Sequence, residues 1–306
     1  MGIVEQHEQL IREYVNRPWK RHFLKSEKAK WNKLCSSLDV IGDTQEAINF
    51  YFNLPEYSAK EGGYLYLYGI LQAFFLQQDA VNHLTHVLLG KKIVWEQHYP
   101  ELYRVRELRN DSTGHPTGRT NGSYHSIAQN SISKYGFMLR SDIPKSNSTE
   151  FREVDIQELK QVQETSVVLI LSNAIDVMKK EFDDHKMKFK GKKLQDLVPE
   201  SLDYSMSKLY QGVHSDYPLV NVDYAVISKF ITEMKHQIGE RYGSHTALEG
   251  LNDQISRIEY IHERLNDWMD SGQLRGNRDA EVFIDSLSDR LKELKSMLEE
   301  IDEEFE

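Results

Sequence analysis

Residues 62–90 read GGYLYLYGILQAFFLQQDAVNHLTHVLLG, and the fold turns on how this stretch is read. Its apolar residues fall around most of a helical wheel, and a glycine stands at each end. A helix that is apolar on nearly all sides is covered on several sides. The spacing therefore predicts a long central helix with other helices packed around it.

Working outward, helical periodicity dominates. Residues 4–25 predict one amphipathic helix, and 28–38 and 43–53 two shorter ones. YPELYRVRELRN (99–110) predicts the next, with Pro100 suited to a first turn. The character then changes. SYHSIAQNSISKYGFMLRS (123–141) is rich in β-branched and aromatic residues and reads as a hairpin or two short strands, with FREVDI (151–156) as another. A β insertion is expected over about 122–155, followed by a long helix from about Asp155 to Lys188 and helices near 200–212 and 219–242. Near the end, Leu248, Leu251, Ile255, Ile258, His262, Leu265 and Met269 step by threes and fours. So do Ile284, Leu287, Leu291, Leu294, Leu298, Ile301 and Phe305. Two such helices joined by DSGQLRGNRDA predict an antiparallel hairpin that packs on its own domain or serves as an oligomerisation arm. The fold class expected is all-α, a helical bundle with a small β-hairpin insertion, divided into domains at 1–190 and 197–306.

At 306 residues the chain has ample core. Its net charge of −10 argues against coating long nucleic acid. The acid is uneven, however. Glu281 to Glu306 holds ten Asp and Glu against Arg290, Lys292 and Lys295, whereas Lys91 to Thr120 carries six Lys and Arg against four acids. The single cysteine, Cys35, excludes a disulfide framework and a cysteine-rich zinc site. No apolar run approaches the roughly 20 residues of a membrane span. MGIVEQHEQLIREYVNR lacks the apolar stretch of a secretory signal, so a cytoplasmic location is expected. There is no Walker-type loop and no Gly-x-Ser-x-Gly, and no cofactor is expected.

The chemistry is expected in RELRNDSTGHPTGR (106–119). On a wheel of about 100° per residue, Leu102 and Val105 define the inward stripe of helix 99–110. Arg109 falls on that stripe, while Arg104 and Arg106 point away. A guanidinium on a buried face must find an acceptor. If this helix runs back along the central one, Asp79 is the candidate partner, with Gln78 and Asn82 beside it. Asn110 and Asp111 end the helix, and Gly114 permits a left-handed conformation. Pro116 biases His115 towards extended geometry. Arg109 and His115 thus converge on a short turn, with Arg119 and His125 placed to extend a groove beside it.

RNDSTGH resembles the Arg-x4–6-His signature of the HEPN superfamily (higher eukaryotes and prokaryotes nucleotide-binding domains), in which Asn commonly follows the Arg, as Asn110 does here. The long central helix and its antiparallel partner ending in the signature are similar too, and the resemblance covers roughly the first 190 residues. Pro116 and the β insertion depart from the pattern. The resemblance implies a metal-independent endoribonuclease of the toxin, toxin–antitoxin or phage-defence type, or an inactive module that binds nucleotides or proteins. It implies Arg109, Asn110 and His115 as the catalytic set, and a homodimer that brings two turns together. An antitoxin or other protein partner would be met through the C-terminal helices.

The chemistry is coherent on its own terms. Cleaving RNA through its 2′-hydroxyl needs a group that moves protons and a cation for the phosphorane, roles that suit imidazole and guanidinium without a metal. Asp79, His83 and His86, at i, i+4 and i+7 of the central helix, form a separate candidate for three metal ligands, or else a plain polar strip. No second Glu-x-x-His element accompanies them.

Overall fold

The computed structural model describes residues 2–114, 116–118, 122–144 and 147–305. The protein is predominantly α-helical with one small antiparallel sheet, as the periodicity predicts. The chain clusters into two compact units. One comprises Met1–Val15 and Glu27–Lys179, the other Asn16–Ser26 and Lys180–Glu306.

In the first unit, α1 (Ile3–Val15) buries Val4, Ile11 and Val15. The single helix expected over 4–25 is broken after Val15, and α2 (Pro18–Ser26) restarts at proline. Proline lacks the N–H that a continuing helix needs but fits a first turn. Conversely, the two helices expected at 28–38 and 43–53 form one, α3 (Lys28–Asn53). Leu34, Leu38, Ile41, Gln45 and Ile48 keep one buried face across Gly42, and packing overrides the weak local propensity of that stretch.

α4 (Gly63–Leu89) is the central helix, flanked by Gly62 and Gly90 with φ of 88° and 69°. It packs against α3 along its length and against α6 (Pro100–Arg109). Between them, residues 91–99 contain a further turn of helix, α5 (Trp95–His98). Three strands follow, β1 (Tyr124–Ile127), β2 (Gly136–Ile143) and β3 (Ser148–Asp155), in sheet order β1-β2-β3. Their register pairs Ser126 with Arg140 and Leu139 with Arg152. Phe137, Leu139 and Val154 bury one face in a core shared with Leu67, Phe74, Val105, Leu108 and Ile156. α7 (Ile156–Phe189) completes the unit with its first part.

A polar seam runs through this interior. Gln45, Gln77, Gln78 and Gln163 are all buried. Gln78 Nε2 donates to Gln163 Oε1 (2.8 Å) and Gln163 Nε2 to Gln77 Oε1 (2.9 Å). Gln77 Nε2 continues to Gln45 Oε1 (3.0 Å), Gln45 Nε2 to Asn49 Oδ1 (3.1 Å) and Asn49 Nδ2 to Glu5 Oε1 (2.9 Å). At the other end Arg106 Nη1 meets Gln78 Oε1 at a long 3.5 Å. Arginine only donates and carboxylate only accepts, so the two ends dictate which way every amide points. The nitrogen and oxygen of each buried amide thereby have a partner, which keeps an otherwise costly set of polar groups in the core.

The second unit holds α8 (Leu202–His214), α9 (Val220–Tyr242), α10 (Glu249–Asp270) and α11 (Arg278–Glu304). Leu251, Ile255, Ile258 and Leu265 of α10 and Ile284, Leu287, Leu291, Leu294 and Leu298 of α11 are buried in one core with Ile227, Met234 and Ile238 of α9. The heptad faces are thus used inside their own unit. Asn277 caps α11 by accepting from the N–H groups of Asp279 and Ala280.

Candidate functional site

The carboxyl end of α6 carries the candidate site. Its inward residues are Leu102, Val105 and Leu108, and they lay α6 on α4. The helix does not stop at Asn110. It widens into a π-helical turn, Asn110–Gly114, with Asn110 still at φ −62° and ψ −42°. Such widened turns re-aim the residues around them. Thr113 Oγ1 donates to the Arg109 carbonyl (3.0 Å) and fixes the turn on the helix.

Arg109 is half-buried and held by neutral acceptors. Its Nε and Nη2 donate to Gln72 Oε1 of α4 (3.1 and 2.7 Å), and its Nη1 donates to Asn110 Oδ1 (3.1 Å). Asn110 Nδ2 in turn donates to Glu107 Oε1 (3.2 Å). The guanidinium carbon lies 4.3 Å from the centroid of the Phe75 ring. Among the described residues Arg109 makes no ion pair, and these bonds engage three of its N–H donors, leaving two of the guanidinium's five. Burial, then the neighbouring Arg106, pull its pKa below the ordinary arginine value, with Asp79 opposing.

Gly114 closes over this group. A Cβ at that position would lie 2.6 Å from Arg109 Nη1. Glycine is needed here for space and not for the left-handed conformation expected of it, since Gly114 is not among the residues of positive φ.

Asp79 does not pair with Arg109. It pairs with Arg106, Nη1 to Oδ1 at 2.8 Å. Nor does Arg106 point away: only 16% of its side chain is exposed, and its guanidinium carbon lies 4.1 Å from the Phe75 centroid. Two causes account for the difference. Residues three apart on a helix share a face, so Arg106 and Arg109 reach the same neighbour. The segment 91–99 also carries a short helix, α5, where a tight turn is assumed, and the register of α6 on α4 sets Arg109 against Gln72 and Arg106 against Asp79.

His125, on β1, lies beside the turn. Its backbone N–H donates to the Pro116 carbonyl (2.7 Å), and its Nε2 is 3.5 Å from Asp111 Oδ1. The ring nitrogens also meet Ser123 Oγ (3.0 Å) and Ser141 Oγ (2.9 Å). Both are engaged, and the side chain is only 8% exposed, so His125 ties the sheet to the turn. His115 and Arg119, the remaining expected members, lie outside the described residues.

No family model, curated protein or solved structure matches this chain.

Arg109, Asn110, Asp111 and His125 are therefore gathered at one turn, and Asp79 adjoins them through Arg106. Sequence reading missed Arg106, Phe75 and the anchoring role of Gln72. The signal was present in the spacing: Gln72, Phe75 and Asp79 fall at i, i+3 and i+7 of α4, on one face. As for metal binding, Asp79 is committed to Arg106, and no three His, Cys, Asp or Glu side chains among the described residues come together to hold an ion.

Proposed function

We propose that this protein is a metal-independent endoribonuclease of the HEPN type, acting through Arg109 and His115. The observation that supports it most is the state of Arg109: a cation at a helix end, fixed by amide oxygens and an aromatic ring, with no carboxylate paired to it among the described residues. A structural arginine would close on a carboxylate, as Arg106 does on Asp79. An arginine that keeps donors unspent is suited to the oxygens of a phosphate.

In this reading Arg109 binds the non-bridging oxygens of the scissile phosphate and stabilises the charge that develops on the phosphorane. His115 takes the proton of the 2′-hydroxyl as that oxygen attacks phosphorus. The bond to the 5′-oxygen breaks, and the leaving oxygen takes up a proton. The products are a 2′,3′-cyclic phosphate and a 5′-hydroxyl. Asn110 holds one edge of the guanidinium, Gln72 the other, and the Arg106–Asp79 pair flanks them. A two-fold dimer would supply one imidazole as base and a second as acid.

The test is cleavage of a mixed-sequence RNA in EDTA by the protein and by Arg109→Ala and His115→Ala. Loss of about a hundredfold or more in both variants is expected. Equal cleavage by all three proteins would remove the proposal. Nucleotide binding without cleavage would favour the inactive-module reading.

A further inference from the structure

Residues 186–193, KMKFKGKK, hold five lysines and no acid in a chain of net charge −10. They begin in the last turn of α7 and pass through Gly191 at φ 74° into the next segment. Lysines in a final helical turn complement the helix dipole, which accounts for Lys186 and Lys188. It does not account for Lys190, Lys192 and Lys193, which lie beyond the helix and are exposed.

The loop's backbone is firmly held. Phe189 is buried against Phe305 and His185. Asp302 accepts from the N–H groups of Leu194 (2.8 Å) and Gln195 (2.9 Å), and Arg241 bonds the Lys192 carbonyl. Within the same unit α2 is tied to the end of α7. Trp19 stacks on His185 with centroids 4.6 Å apart, and Arg17 lies 3.8 Å over Phe182. α2 adds Arg21, exposed, and Phe23, 63% exposed.

Lys186, Lys188, Lys190 and Lys192 make no ion pair among the described residues, nor does Arg21. Of the acids nearby, Asp302 and Glu304 are engaged, while Asp183 and Asp184, one turn before Lys186 and Lys188 on α7, are exposed and make no ion pair among the described residues. Asp302, which lines a cavity of about 230 Å³ with Lys190, Lys192 and Lys193, is 3.0 Å from Arg241, and Glu304 lies 4.0 Å from Arg17. Lys186, Lys188, Lys190, Lys192 and Arg21 outnumber Asp183 and Asp184, and an excess of cations on a firmly held backbone suits a polyanion.

We infer that the 186–193 loop and α2 form a binding surface for the phosphate backbone of single-stranded RNA. The choice of RNA over other polyanions rests on the proposed ribonuclease reading and on Phe23, an exposed ring of α2 two residues from Arg21, on which a base stacks. An anionic membrane is the weaker fit, because Phe23 and Met187 are the only large apolar side chains exposed on these segments, and surface anchoring scales with apolar area.

The test uses the full chain and a fluorescent single-stranded 2′-O-methyl RNA, which cannot be cleaved through its 2′-oxygen, with affinity read by anisotropy across a salt series. Replacing Lys188, Lys190 and Lys192 together by Glu should weaken binding about tenfold or more and flatten the log–log salt slope by about two, since each phosphate contact on a single strand contributes roughly 0.7. Phe23→Ala should weaken binding and leave the slope unchanged. An unaltered slope in the triple variant, or binding of phosphatidylserine vesicles without binding of the RNA, overturns the inference. Because the strand cannot be cut, the result is independent of cleavage by Arg109 and His115, and either idea can fail alone.

Discussion

Arg109 in the first unit and Arg241 in the second are built alike and finished differently. Both lie over phenyl rings, Arg109 at 4.3 Å from the centroid of Phe75 and Arg241 at 4.8 Å from that of Phe305. Arg241 is 3% exposed and closes on Asp302, itself buried, at 3.0 Å. Arg109 is half-exposed and, among the described residues, its polar partners are the amide oxygens of Gln72 and Asn110. The first arrangement spends the cation on the fold. The second leaves two of the guanidinium's donors without a partner among the described residues, as the proposed phosphate contact requires. What separates the two arrangements is the partner and the access, and residue type alone does not reveal it.

The sharpest way to break this contrast is to remove each cation. Arg241→Ala leaves Asp302 buried and unpaired, and unpaired buried charges of this kind cost about 3–5 kcal/mol. A loss of that size in urea unfolding of the second unit is expected, and a loss below about 1 kcal/mol would show that Asp302 is satisfied by the Leu194 and Gln195 amides alone. Arg109→Ala should cost at most about 1 kcal/mol, because Gln72 and Asn110 are partly exposed and can turn to water. Severe destabilisation in that variant would give Arg109 the structural role of Arg241.

The smallest effect concerns protons. Burial, with help from Lys188 and Arg241, lowers the pKa of His185, and burial lowers that of His262. Both therefore fall below their ordinary 6.5 in the folded state. As pH drops from about 7 towards 5 the unfolded chain takes up protons that the folded second unit does not, so its stability declines. Above about pH 7 these two groups contribute no slope. His185→Gln with His262→Gln should flatten the acid limb, and amide exchange that placed the same slope in the first unit would contradict this assignment.

How much of this could be read beforehand depended on range. The central helix was legible because Leu67, Leu71, Phe74, Val81 and Leu84 repeat along one face and Leu65, Phe75 and Leu76 carry apolar character around the rest, and the heptads of α10 and α11 were legible because each repeats within its own helix. The strands at Tyr124–Ile127 and Gly136–Ile143 announced themselves by their β-branched and aromatic residues. In the candidate site, Arg109 and Asn110 were legible as neighbours in sequence. The Asp79–Arg106 pair was misread because helix register depends on how 91–99 folds, and no periodicity within α4 or α6 encodes that. Asp302 and Arg241, 61 residues apart, carry no local mark of belonging together. The buried glutamines were missed for another reason: Gln45 and Gln163 look like solvent-facing polar residues until a partner amide stands opposite.

Those glutamines give the first unit's interior a direction. A row of amides ordered head to tail from a cation to an anion has one low-energy arrangement, because reversing it would set donor against donor at Arg106 and acceptor against acceptor at Glu5. Glu5→Gln would remove the anionic end while keeping nearly every atom and leave the direction to the long Arg106–Gln78 contact alone, so the reversed ordering would cost less and mix with the present one. Doubled side-chain amide resonances would report such a mixture, and a single set would mean that α1, α3, α4 and α7 are aligned by shape alone. Uniqueness of the native packing, more than its depth, is what the two charged ends of this row govern together.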